Sequence, residues 1–318
     1  MYPIPFQTGF REGVKGPLGF AGVDQAAQIG GLNGVIYYVN NLHTNANDDH
    51  DGTDPLYPLE TIAAALANVV SGRGDKIEVA PGTYEENLVV TKDYVTIAAS
   101  MPGGYARPDI APTAGIALVN RSQGLVCLGL RFVSEDSDTV RIEGNGFKFF
   151  DCVFDGSAGQ AATEAALRLW CHATDDSYTA SEGLFEDCLI RNSNGYGVAF
   201  DVQAALVGVG PTHNVFHRCR FISNVAEDII ALATAAGVYS LQDNLFEGCH
   251  IGMGTSKNKA THIDISTNNG ATNTGNVFAG CYINDDTVDG TAYKGAGTGS
   301  SLIGCYSLDG VIDGSALD

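Results

Sequence analysis

The sequence predicts an all-β chain: a right-handed, single-stranded parallel β-helix with an N-terminal capping α-helix and an extended N-terminal arm. Three observations predict it. A short aromatic-and-cysteine phrase recurs between residues 125 and 305. A strand, helix, strand passage precedes that repeat. The 40 glycines and only 17% charged residues favour turn-rich β structure over helices.

Residues 1–35 carry no sustained hydrophobic period and are rich in Gly, Gln and Ala, so they are expected to form an arm ahead of the core. Phe6, Phe10, Leu18 and Phe20 suit an arm that anchors on a partner. The domain proper is expected over 36–318. Val35 to Val39 reads as a strand and Asn40 to Thr53 as a polar loop. Over about 59–70, Ile62, Leu66 and Val69 fall on one helical face, and Gly72 can end the helix. Asp75 to Tyr84 is strand then turn, and Leu88 to Thr91 and Val95 to Ala98 are further strands.

The repeat is clearest in Asn214-Val-Phe-His-Arg-Cys219-Arg-Phe221, Asn244-Leu-Phe-Glu-Gly-Cys249-His-Ile251 and Asn276-Val-Phe-Ala-Gly-Cys281-Tyr-Ile283. Its anchor positions are Leu130, Cys152, Cys188, Cys219, Cys249, Cys281 and Cys305, at uneven intervals that suit coils of varying length. Phe lies three before the cysteine and Phe or Ile two after it. Both can point inward only if the chain bends between them, because residues three apart in a straight strand face opposite ways. The doublets Glu186-Asp187, His217-Arg218, Glu247-Gly248 and Ala279-Gly280 occupy that bend. Stacked coils would align Cys on Cys, Phe on Phe, and Asn214, Asn244 and Asn276 in a hydrogen-bonding column. The eight cysteines form no Cys-x-x-Cys pair, so they are expected to be reduced core residues.

The N-terminal passage resembles the opening of right-handed parallel β-helix proteins of the pectin-lyase-like superfamily. Asp51-Gly52, Pro58, Leu59-Glu-Thr-Ile62, Ala65-Leu66 and Gly74-Asp-Lys-Ile-Glu-Val-Ala-Pro-Gly-Thr-Tyr84 match that opening, and the likeness extends over roughly 35–308. It implies that the helix caps the solenoid's open end. It is weak for activity, because the superfamily holds lyases, hydrolases, epimerases and non-enzymatic virion proteins.

A formal charge of −20 argues against nucleic acid and against an anionic membrane surface as partners. No apolar run is long enough to span a bilayer, and the N-terminus lacks a secretory signal. The alternation in Val140-Arg-Ile-Glu143, Leu167-Arg-Leu-Trp170, Val198-Ala-Phe-Asp201 and Ile263-Asp-Ile265 puts Arg141, Glu143, Arg168, Trp170, Asp201 and Asp264 on one outer face. If that face is active, Glu143, Asp201 and Asp264 are the catalytic candidates, with Glu143 and Asp201 about 10 Å apart if two coils separate them. Trp170, Arg141 and Arg168 would then bind carbohydrate. The default for such charges is a solvated face.

No cofactor is expected, beyond weak Ca²⁺ binding by the acidic groups Asn47 to Asp51, Glu135 to Asp138, Asp175-Asp176 and Asp285-Asp286. With no catalytic set evident, the resemblance points first to a bacteriophage virion protein. That implies a homotrimeric capsid decoration protein, made in the host cytoplasm, clasping the major capsid protein through residues 1–35. The alternative is a tailspike-like or bacterial polysaccharide depolymerase, a lyase or glycoside hydrolase acting on a host surface glycan.

Overall fold

The computed structural model describes residues 34–103, 106–171, 179–202, 210–233, 241–254, 261–266, 273–284, 293–295, 300–307 and 310–314. They form a parallel β-helix in which each coil contributes short strands to three columns. The first column runs from Ile36–Val39 through Lys76–Val79 and successive coils to Ser301–Ser307. The second runs from Gly82–Tyr84 to Tyr282–Ile283. The third is a separate eight-stranded sheet from Leu88–Val90 to Tyr293–Gly295. Pairing is parallel throughout except for Gly310–Gly314, which turns back antiparallel on the last long strand.

The bend between the first two columns lies where the repeat predicts it. Asp151, Asp187 and Arg218 take φ of 50°, 55° and 53°, and Gly248 and Gly280 take 61° and 60°. This left-handed residue turns Phe and the following Cys to the same interior. The hydrogen bonds Val153 N to Leu130 O, Leu189 N to Cys152 O and Arg220 N to Cys188 O align the anchors coil by coil, with Leu130 in the cysteine's place. Phe185, Phe216, Phe246 and Phe278 stack with centroids 4.5, 4.7 and 4.6 Å apart. Each such pair contributes about 0.5–1.5 kcal/mol beyond the burial of the rings.

The asparagine column forms as expected. Asn244 Oδ1 accepts from the backbone N and Nδ2 of Asn214 at 2.9 and 3.0 Å, and Asn276 Oδ1 accepts likewise from Asn244 at 3.1 and 3.2 Å. These amides satisfy backbone donors that the corner would otherwise bury unpaired.

All eight cysteines are reduced and buried. Cys249 Sγ donates to Phe216 O at 3.3 Å and Cys281 Sγ to Phe246 O at 3.4 Å, so each thiol also ties its coil to the one before. Burial pushes the Cys127 and Cys152 thiols well above the usual range. Thiol reagents are therefore expected to label none of the eight in the native protein and all of them in denaturant. Mass spectrometry of both samples checks this, and rapid native labelling of Cys219 or Cys249 would contradict the packing.

The helix α1, Ile62–Asn68, is shorter at both ends than the periodicity predicts. Leu59 is drawn into a parallel bridge with Val39, and Asp48 Oδ1 accepts from Glu60 N and Thr61 N, so the helix starts only after Thr61. At the other end Asp75 Oδ2 accepts from Val70 N, and Val69 is already extended at ψ 140°. Ile62, Ala65 and Leu66 are buried against the first coil, so α1 caps the solenoid and shields its edge. The expected arm, with Phe6, Phe10, Leu18 and Phe20, lies outside the described residues.

Candidate functional site

The outer face of the third column carries a concentration of ionisable side chains. Val140, Ile142, Leu167, Leu169, Val198 and Phe200 fill the interior, which turns their neighbours outward. Register then aligns Arg141, Arg168, Ala199, Ile230 and Asp264 in one outer column, and Trp170, Asp201 and Leu232 in the next.

Arg168 is the centre of the cluster. Its Nε donates to Asp138 Oδ2 at 2.7 Å, its Nη1 to Asp201 Oδ2 at 2.6 Å and its Nη2 to Thr163 O at 2.7 Å. Arg141 Nη2 reaches the same Asp138 oxygen at 3.0 Å, and its guanidinium lies 4.3 Å from the centroid of the Trp170 ring. Such a cation over indole is favourable by about 0.5–2 kcal/mol. It pins a half-exposed aromatic platform beside the carboxylates.

Glu164 completes the group. It ends the insertion between the strands Val153–Asp155 and Ala165–Cys171. Gln160 and Asn194 hold that insertion, through Gln160 Nε2 to Thr139 Oγ1 at 3.3 Å and Asn194 Nδ2 to Gln160 O at 2.7 Å. Any Cβ at Gly195 would strike the carbonyl of Glu164, so glycine permits this close approach. Asp138 N donates to Glu164 Oε2 at 3.1 Å, and Arg168 Nη2 stands 3.9 Å from that oxygen.

The two carboxyls of this pair separate in acidity. Burial would raise Asp138, but the Arg168 guanidinium overrides it and holds the carboxyl below the usual range. Burial, then the hydrogen bond and charge of Asp138, push Glu164 up to about 7. One carboxylate and one carboxyl that still holds its proton near neutrality make an acid/base pair. Burial and the charge of Glu227 raise the Tyr196 phenol, Asp201 and Asp264 adding to this and Arg168 opposing it.

The expected site residues are on this face, but not as a solvated row. Glu143, Arg168 and Asp201 are 3%, 7% and 4% exposed. The expectation of solvated charges is thus corrected: each is covered and paired. Arg121 Nε binds Glu143 Oε2 at 2.7 Å, and Glu143 Oε1 has no hydrogen-bond partner among the described residues. Glu143 follows Ile142, which pairs with Leu169, so Trp170 occupies the coil between Glu143 and Asp201. Asp264 lies in the neighbouring column, where its Oδ1 accepts from Ser266 N at 3.1 Å. Glu164 is not among the expected site residues, and Asp138 is expected only within the acidic group Glu135 to Asp138.

The acidic loops are engaged by the chain itself. Asp136 accepts from Gly115 N, Asp51 from Thr53 and Asp48 from the start of α1. Asp175-Asp176 and Asp285-Asp286 lie outside the described residues. Among the described residues no three His, Cys, Asp or Glu are grouped to hold a metal ion, and no helix is long and apolar enough to cross a membrane.

No family model matches the chain, and no curated protein matches it in sequence. Solved structures do. The crystal structure of pectate lyase Pel9A superposes with a TM-score of 0.61 at 14% identity, over 87% of this chain and 70% of that one. The fold is a parallel β-helix. A pectin methylesterase from Aspergillus niger agrees, with a TM-score of 0.52 at 14% identity, over 87% of this chain and 86% of its own. Likeness at this identity establishes the β-helix and no more.

Proposed function

We propose that this β-helix binds and degrades a polysaccharide along the outer face of its third column, with Glu164 as the proton-carrying residue. The observation that carries the reading is the Asp138 and Glu164 carboxyl pair, split in acidity by Arg168 and set beside the Trp170 platform. The fold neighbours, by their names a pectate lyase and a pectin methylesterase, are in keeping with it. In this scheme Trp170 stacks a sugar ring, Arg141 fixes the indole, and Glu164 protonates or deprotonates at the scissile linkage. Asp138, Arg168 and Asp201 set the charge around Glu164. Assembly into a virion, as a homotrimer anchored through residues 1–35, rests on the arm, which is not among the described residues, and the comparisons lend it no support.

Retention of the protein in gels cast with soluble polysaccharides, together with release of new reducing ends, tests the proposal. Trp170→Ala is expected to weaken retention about tenfold, equivalent to ~1.4 kcal/mol. Equal retention of wild type and variant would remove the platform, and hence this face, from the function.

A further inference from the structure

We infer that the polysaccharide is uncharged and that the bond is broken by hydrolysis; this rests on the proposed function and narrows it. β-Elimination from a sugar chain requires a uronate, whose carboxyl group acidifies the neighbouring C–H. A site that handles uronates must offer cationic groups free to meet that carboxylate. Around Trp170, among the residues whose side chains are described, the arginines are already matched. Arg121 is bound to Glu143, Arg141 to Asp138, and Arg168 to Asp138 and Asp201.

Arg168 is closed to a ligand, since Nε, Nη1 and Nη2 each meet an oxygen of the chain and the residue is buried. Its guanidinium also fills the point where Asp138, Glu164 and Asp201 converge, which is the place a bridging cation would take. Glu227 stands beyond the matched pairs and is close enough to raise the Tyr196 phenol. A chain of net charge −20 reinforces the same sign. A polyuronate approaching Trp170 would meet like charge, whereas a neutral glycan pays no such cost.

Hydrolysis then follows in balanced steps. The Glu164 O–H donates its proton to the glycosidic oxygen as the bond from that oxygen to the anomeric carbon breaks, and the leaving sugar departs as an alcohol. Water adds its hydroxyl to the anomeric carbon and releases its remaining proton to the solvent, and the Glu164 carboxylate takes a proton back from the solvent. The starting state is restored, and no oxidant or reductant is consumed.

The full chain, offered soluble neutral glucan, xylan and mannan in parallel with polygalacturonate and alginate, tests the inference. The expected result is retention by a neutral glycan, new reducing ends without an unsaturated product, and affinity that changes less than about twofold between low salt and roughly 1 M. Cleavage of either polyuronate to an unsaturated product, lost in Glu164→Gln, would overturn the neutral-glycan inference and leave the polysaccharide function standing. Retention by none of the five polymers would overturn both.

Discussion

Replacing Glu164 by glutamine is expected to lower polysaccharide cleavage at pH 7 by about 10²–10⁴-fold, while glycan retention changes by no more than about twofold. The amide oxygen can still accept from Asp138 N, so the insertion keeps its anchor. What is lost is the transferable proton. In the wild type this proton is held up to about pH 7. As a general acid, Glu164 is therefore active below that value, and the rate falls about tenfold per unit above it. The same shift affects stability with a definite sign. Between the ordinary value of 4.5 and about 7 the folded chain keeps a proton that the unfolded chain has released. Stability from this group therefore falls as pH rises through that window. Glu164→Gln removes that slope, so urea midpoints measured across the window should fall less steeply in the variant. A variant that cleaves at the wild-type rate would dismiss Glu164 as the acid.

How much of this could be read from the sequence depends on whether the feature repeats. Cys, Phe and Asn fall in columns because each coil supplies one of each at a fixed offset, and the bend could be located from Phe and Ile lying five apart around Cys. Alternation also turned Arg168 and Asp201 to the same face. Their pairing across 33 residues needed the register of two coils. Glu164 gave no such signal. It lies in an insertion that occurs in one coil only, and its partner Asp138 is 26 residues earlier on a different coil. Its proximity to an apolar strand start, Ala165 to Leu169, was the one available sign. The helix ends depart from the period for a related reason. Leu59 has the right helical spacing, but its carbonyl and amide are taken by Asn40 and Tyr38 in the first coil. A local period cannot report such long-range competitors.

Arg168→Leu is expected to destabilise the protein at pH 7 by about 3–5 kcal/mol, the scale for removing one partner of a buried charge network. Leucine replaces much of the volume, so the loss comes chiefly from Asp138 and Asp201, which remain buried without their common counter-charge. The pH dependence distinguishes this cause from poor packing. In the wild type Arg168 depresses the Asp138 carboxyl, so its stabilisation is present above the unfolded value of 3.8 and is lost as pH falls through the lower folded value. In the variant burial acts alone and raises the same carboxyl, which then prefers to fold with its proton on. The gap between the two proteins should therefore be widest near neutrality and close as the pH approaches 4. Arg168→Lys should recover only part of the loss, because one ammonium cannot point at Asp138, Asp201 and Thr163 O with the geometry of a planar fork. Denaturant unfolding of the three proteins at pH 7 and pH 4 measures this. A deficit independent of pH would mean that Arg168 fills space here rather than holding the charges that set the acidity of Glu164.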